Sequence, residues 1–336
     1  MNTAKYLANS EQKKVIESIT PVVPGAFYTI DYTADYKLDA FIDSGADSLE
    51  AFGKYAGIHL LDPVKLAAGI AKGKLLKSFG AGCSVFTGVN EQGEPMLCRG
   101  YDYPHQPTTL LVRTYPKKGY KSIGMADLGF MDMNEGALED GKTDLSNLML
   151  CPYITVDGMN EKGFAIAALS LMHKGVRQET GKKKISTTVA IRMLLDRAAT
   201  VNEAIALLKE YDMCTPLADS DFHFIMLDRT GVSKVVEYVN GELRELDCRY
   251  VTNYYLSPFM GENFEEPRYL MMKNFYIEHK GCFEEDDALA MLRCVSANGK
   301  SASKSFTVWD AIMNPATGAF DVIYNRDWSH KLCYKI

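Results

Sequence analysis

The sequence has no run approaching the roughly 18 consecutive apolar residues of a membrane-spanning helix. It has no C-x-x-C pair, and its eight cysteines, Cys83, Cys98, Cys151, Cys214, Cys248, Cys282, Cys294 and Cys333, are scattered. That spacing signals neither a zinc site nor a thioredoxin-type redox pair, so most of these residues read as small buried apolar side chains. The six histidines, His59, His105, His173, His223, His279 and His330, show no metal spacing and read as surface or structural residues. Positive charge is short: 37 Lys and Arg stand against 43 Asp and Glu, for a net charge of -6. Nucleic acid is therefore not expected as a partner, since phosphate binding needs clustered basic side chains. The one basic run, Lys182-Lys183-Lys184, reads as a solvated loop. G-x-S-x-G and H-E-x-x-H are both missing. Gly69 to Lys74 imitates a phosphate loop, but it is one residue short and Leu75 stands where Ser or Thr is needed. Gly80-Ala81-Gly82 is followed by Val85 where a dinucleotide fingerprint has its last glycine. Neither a metal nor a cofactor is called for. The first residues are polar, with no apolar core of a signal peptide, so the expected location is cytoplasmic.

What is present is an ordinary globular composition, 47% hydrophobic and 24% charged, in a chain long enough to bury a substantial core. Residues 1–82 differ from the rest. Glu11 to Ser18 reads as a short helix, and the alternating AFYTIDY (Ala26 to Tyr32) as a strand. Leu38 to Tyr55 and Pro63 to Phe79 read as helices. The second of these starts well, with Asp62 as N-cap and Pro63 at the first position. It is amphipathic and basic, which suits a helix lying on the body of the protein, or a lid or membrane-surface contact.

From Cys83 onward, short strands alternate with turn signals. CSVFTGV and PMLCRGYDY form a hairpin with Gly93 in the turn. LLVRTY, KSIGMADL, YITVDGM and FAIAALSL follow, the last two joined by Asn160-Glu161-Lys162-Gly163. Helices are expected over Thr187 to Ala199 and over Asn202 to Lys209, the latter capped by Asn202. Strands return at DFHFIMLD, SKVVEYV, GELREL and YVTNYY. Helices over Arg268 to Tyr276 and Asp286 to Cys294 come next, and FTVWDAIMN and FDVIYN close the chain. This order of strands, helices, strands, helices and strands implies an α+β fold with antiparallel sheets.

One cysteine stands apart. Gly82-Cys83-Ser84 opens a strand after a helix, and the hairpin returns Arg99 and Asp102 towards it. If the Gly82–Cys83 bond is cut, Cys83 gains an α-amine of pKa about 8, which can take the thiol proton. Arg99 would favour the thiolate, and Asp102 would hold the amine. Spacing alone leaves a second reading open, a buried cysteine in a strand beside a surface Arg–Asp pair.

These residues resemble the choloylglycine hydrolase family of N-terminal nucleophile (Ntn) hydrolases. Its members include bile salt hydrolases, penicillin V acylases, acid ceramidase and N-acylethanolamine acid amidase. In that family a strand-opening Cys is followed by an R-x-x-D element on the next strand, here Cys83 with Arg99-Gly100-Tyr101-Asp102. Val251-Thr252-Asn253-Tyr254 resembles the family element that supplies an oxyanion-hole Asn, which implies that role for Asn253. Arg268 in EEPRYL resembles the later Arg that supports the nucleophile. NEKGFAIAAL and TVNEAIALL resemble the family's glycine hairpin and its helix. Bile salt hydrolases usually carry Asn where Ser170 aligns, and Asn-Met or Asn-Leu where Gly100-Tyr101 stands. FYTIDYTADYKLDAF resembles part of the acid ceramidase and amidase α-subunit, whose proenzymes are cut immediately before the Cys.

The resemblance implies an αββα sandwich of antiparallel sheets with a mainly helical N-terminal prosegment. Residues 1–82 would be the prosegment and 83–336 the catalytic domain. It implies a hydrolase of linear, non-peptide amide bonds of N-acyl substrates, activated by autocleavage at Gly82/Cys83. Cys83, Arg99, Asp102, Asn253 and Arg268 would be catalytic, with Ser170 an oxyanion or substrate contributor. The partner would be a small-molecule N-acyl amide, with no cofactor and no metal. A homo-oligomer is left open. An acyltransferase of the same superfamily is the alternative, with an amine in place of water. A non-enzymatic binding module is the third reading, disfavoured because a binder has no need of all five residues.

Overall fold

The computed structural model of the chain describes residues 3–62, 82–171, 175–215, 221–259, 265–299 and 305–336. The helix expected over 63–79, the Gly69 to Lys74 segment and His173 lie outside the described residues.

The chain opens with α1 (Ser10–Glu17), whose N-cap Asn9 accepts from the Gln12 amide, and a hairpin of β1 (Thr20–Val23) and β2 (Phe27–Tyr32). Where one helix is expected from Leu38 to Tyr55, two form, α2 (Leu38–Ser44) and α3 (Leu49–His59). Gly45 ends the first at φ 62°, and Ser48 caps the second by accepting from the Ala51 amide. The hairpin of β3 (Gly82–Val89) and β4 (Pro95–Tyr103) follows, then β5 (Thr109–Thr114), β6 (Ser122–Asp127), β7 (Thr155–Asn160) and β8 (Phe164–Leu171). Next come β9 (Lys184–Ser186), α4 (Thr187–Arg197), α5 (Val201–Leu208) and β10 (Asp212–Cys214). The cap of α5 is Thr200, which accepts from the Glu203 amide, and Asn202 sits in the first turn instead. The sequence then runs β11 (Asp221–Asp228), β12 (Ser233–Val239), β13 (Glu242–Leu246) and β14 (Tyr250–Val251). It closes with α6 (Pro267–Glu278), α7 (Glu285–Val295), β15 (Phe306–Asn314), β16 (Ala319–Tyr324) and β17 (Lys331–Lys335).

Two sheets result. One has the order β1-β2-β5-β6-β7-β8-β11-β12-β13, and the other β14-β3-β4-β15-β16-β17. Every pairing in them is antiparallel except β2 with β5. The larger core cluster includes the layer between the sheets, with Leu97, Tyr101, Ala167, Leu169, Ile225 and Trp309. α4 and α5 cover the outer face of the larger sheet, packing on β7, β8 and β11. α6 and α7 cover the other sheet through a second cluster of Phe86, Met96, Cys98, Met272, Phe283 and Leu292. The layers are α, β, β and α, as in the expected sandwich.

Period-two alternation decides which face each strand residue serves. On β4, Leu97 and Tyr101 point between the sheets, whereas Met96 and Cys98 point at the helices. All nine residues of β4 are buried because both faces are covered. The β7–β8 turn is pinned from both ends. Gly163 takes φ +81°, and a Cβ there would come within 2.4 Å of the Pro315 carbonyl. Asn160 accepts from the Lys162 and Phe164 amides and donates to the carbonyls of Leu195 and Ala198 at the end of α4.

Candidate active site

β3 and β4 pair with Gly82 opposite Asp102, Cys83 opposite Tyr101 and Val85 opposite Arg99. This register turns the sequence spacing into contact. Arg99 Nη2 lies 3.5 Å from Cys83 Sγ, and its Nη1 donates to the Ala168 carbonyl of β8 at 2.9 Å. Arg99 is fully buried and spans the gap between the sheets. Such a charge needs a partner there. Asp157 of β7 supplies it, with Oδ2 2.7 Å from Arg99 Nε. The Nε hydrogen points off this line, so the contact is an ion pair rather than a hydrogen bond. Asp157 also accepts from Trp309 Nε1 at 3.1 Å and from the Met125 amide at 3.3 Å. Trp309 stacks on Tyr101 at 4.0 Å, and the Arg99 guanidinium lies over the Tyr101 ring at 5.0 Å.

Asp102 points to the helix side of β4. Its Oδ1 accepts from the Thr307 hydroxyl at 2.6 Å, and its Oδ2 lies 3.5 Å from Arg268 Nη1. A Cβ on residue 82 would come within 2.8 Å of Asp102 Oδ2, so glycine is what lets the carboxylate lie against the Gly82–Cys83 bond.

Arg268 stands in the first turn of α6. Glu266 caps that helix, accepting from the Tyr269 amide and, at 3.0 Å, from Arg268 Nε. From there Nη1 donates to the Cys83 carbonyl at 3.0 Å, and Nη2 donates to Asn253 Oδ1 at 3.3 Å. Asn253 follows β14. Its Oδ1 accepts from the Cys83 backbone N–H at 2.6 Å, and its Nδ2 donates to the Ser170 carbonyl at 2.8 Å. The structure thus brings Cys83, Arg99, Asp102, Asn253 and Arg268 together. Ser170, buried on β8, meets them through its backbone carbonyl.

The electrostatics differ from the sequence expectation at one point. Burial pushes the Cys83 thiol up, and Arg99, which pulls it down, does not outweigh that. Burial likewise lifts the Asp102 carboxyl, against the Thr307 hydrogen bond and the charges of Arg268 and Arg99. On β15, Asp310 is buried opposite Gly100 with neither carboxyl oxygen hydrogen-bonded. Burial and the nearby Asp102 charge push it well above the usual carboxylate range, against the charge of Arg326.

Sequence reasoning missed Asp157, Thr307 and Glu266. An acidic residue in the middle of the otherwise apolar YITVDGM strand was the available signal for the first. Thr307 and Glu266 carried none, since their positions depend on how distant strands and helices pack. Among the described residues, no group of three or more His, Cys, Asp or Glu side chains is placed to hold a metal. No described helix is long and apolar enough to cross a membrane.

The same layered fold occurs in solved structures. A mutant conjugated bile acid hydrolase from Clostridium perfringens is 14% identical, with a TM-score of 0.56 over 76% of this chain and 92% of that one. Penicillin V acylase from Agrobacterium tumefaciens is 17% identical, with a TM-score of 0.53 over 76% of this chain and 86% of that one. These likenesses define the class, an Ntn-hydrolase fold. No curated protein matches the chain in sequence. A family model does: linear amide C–N hydrolases, choloylglycine hydrolase family, matches residues 83–254, half of the chain. The chain belongs to that family. Glu266, Arg268 and Thr307 lie beyond the matched segment, and Cys83, Arg99, Asp102, Asp157, Ser170 and Asn253 lie within it.

Proposed function

We propose that the protein is a cysteine Ntn amidohydrolase that cleaves linear amide bonds of N-acyl substrates, with Cys83 as nucleophile. The observation that carries this reading is the convergence on one cysteine of two guanidinium groups, a buried carboxyl and an amide side chain. The family match, which opens at Cys83, supports it.

Residues 1–82 are then a prosegment, and the first reaction is the chain's own cleavage. Cys83 Sγ attacks the Gly82 carbonyl carbon, the C–N bond to Cys83 breaks, and the thiol proton passes to the released nitrogen. Water hydrolyses the resulting thioester, leaving a Gly82 carboxylate and a Cys83 with both thiol and α-amine. In substrate turnover the α-amine accepts the thiol proton, and Sγ attacks the amide carbonyl. The amine returns the proton to the leaving nitrogen, and water releases the acid from the thioester. Asn253 already holds the Cys83 nitrogen through Oδ1, and its Nδ2–H₂ group serves as an oxyanion donor. A donor of this kind is worth about 3 kcal/mol. Arg268 fixes both the Cys83 carbonyl and Asn253. Asp102 holds the new ammonium.

Intact mass of the purified protein should show two fragments parted at Gly82/Cys83, and Cys83→Ala should stay whole and inactive. A panel of conjugated bile salts, penicillin V, N-acylethanolamines, ceramides and N-acyl amino acids then identifies the acyl amide. Product analysis with and without an acceptor amine separates hydrolysis from acyl transfer. Full activity in Cys83→Ala overturns the reading.

A further inference from the structure

We infer that His223 and Glu237, buried on the sheet opposite the nucleophile strand, are positioning residues that set Asn253 for oxyanion stabilisation. The inference rests on the reading of Asn253 given above.

Asn253 lies on an irregular segment, after the two-residue strand β14 and before a 3-10 turn at Ser257–Phe259. No regular strand holds its backbone in register. The segment is instead held by side chains of β11 and β12. His223 Nε2 lies 2.7 Å from the Thr252 carbonyl, the peptide oxygen directly before Asn253. A carbonyl only accepts, so this ring nitrogen carries the hydrogen. His223 Nδ1 meets Glu237 Oε1 at 3.1 Å. Glu237 in turn accepts from the Leu256 amide at 2.6 Å, the Ser257 amide at 2.9 Å and the Ser257 hydroxyl at 2.7 Å. The pair therefore grips the segment on both sides of Asn253. Tyr255, between the two grips, donates its hydroxyl to Asp221 of β11.

His223 and Glu237 are both fully buried. Placing two titratable groups in a core is costly, and an apolar pair would fill the same space. Their geometry accounts for the expense: apart from the contact between the two side chains, their polar atoms are spent on Thr252, Leu256 and Ser257, on either side of Asn253. The consequence for chemistry follows from scale. Oxyanion donors act only when they sit about 2.7–3.1 Å from the developing charge, and an error of about 1 Å in a catalytic group can cost roughly 100-fold in rate. The tether at Thr252 fixes the peptide plane from which the Asn253 side chain departs.

The test compares two polar replacements of matched character. In His223→Gln the side-chain amide nitrogen reaches the place of Nε2 and keeps the bond to Thr252. In His223→Asn it is too short to do so. Two readouts are taken: the rate of self-cleavage, followed by intact mass, and hydrolysis of the aminomethylcoumarin amide of palmitic acid, with kcat expressed per cleaved chain. The expected result is His223→Gln within about threefold of wild type, and His223→Asn lower in kcat by about 100-fold with KM within about threefold. Equal losses in both variants, wild-type kcat in His223→Asn, or failure of both to fold overturns the inference. Asn253→Ala is run beside them. If it keeps full turnover, the reading of Asn253 fails; if it loses turnover while His223→Asn does not, only the tether fails.

Discussion

At the scale of single residues, the site is a problem in burying charge. Arg99 approaches the thiol from within the core, so its own charge must be balanced where water cannot reach. Asp157 does this at 2.7 Å, and both side chains are fully buried. Asp157→Asn would leave the guanidinium uncompensated, and breaking a buried pair in this way costs about 3–5 kcal/mol. The variant should melt several degrees lower and cleave itself more slowly, because Arg99 loses the anchor that aims it at Sγ. Calorimetry together with intact mass checks both, and an unchanged melting temperature with wild-type cleavage would refute it. The nearness of Arg99 and Asp102 to Cys83 was legible in the sequence, because a two-strand hairpin converts spacing into neighbourhood. Asp157 was not, because its partner is on another sheet and no local rule pairs β4 with β7.

At the scale of elements, caps and turns decide where the chain bends. Gly45 and Ser48 split what periodicity reads as one helix, and both are signals that a sequence displays. Thr200 rather than Asn202 caps α5 because its side chain is the one that reaches the third helical amide. Asp127 makes a comparable junction at the end of β6. It accepts from the Gly129 amide at 2.6 Å to start a 3-10 turn, and from the Tyr101 hydroxyl at 2.7 Å. Burial pushes its carboxyl to about 7, whereas an unfolded Asp titrates near 3.9. Between those values the folded chain binds the extra proton, so this group's contribution to stability falls as pH rises from about 4 to about 7, then levels. The full effect is on the order of 4 kcal/mol at about 1.4 kcal/mol per unit. Asp127→Asn keeps an acceptor for Gly129 and carries no charge. Its melting temperature relative to wild type should therefore climb between about pH 4 and about pH 7 and level above that. A difference that does not change with pH would show that Asp127 is not the group responsible.

At the scale of the whole molecule, strands from before and after Cys83 share one sheet, so the proposed cleavage point is not a structural boundary. The strand AFYTIDY was legible from its alternation, but its parallel partner β5 was not, since pairing over such a separation is set by packing. β1 escaped notice because it is short, exposed and carries Pro21, as edge strands do. Together β1 and β2 extend the larger sheet, with β2 pairing to β5 from Phe27↔Thr109 to Tyr32↔Thr114. Phe27 stacks on Tyr324 at 5.0 Å, Phe41 lies 4.3 Å from Tyr153, and Tyr36 donates to Asp196. Phe27, Tyr32, Phe41 and Phe52 are all buried. At about 1.5–3 kcal/mol each, these four side chains alone contribute on the order of 10 kcal/mol to holding the segment in place. Cutting the Gly82–Cys83 bond removes none of those contacts. The two fragments should therefore elute together on size exclusion after cleavage and separate only in denaturant. Expressed alone, residues 83–336 should aggregate, because β5 would become an open edge with its apolar LLV run uncovered. A monodisperse, active 83–336 fragment would show that the prosegment is dispensable to the core. Co-elution followed by loss of activity when the small fragment is stripped away would show that the mature enzyme is a two-chain protein folded as one.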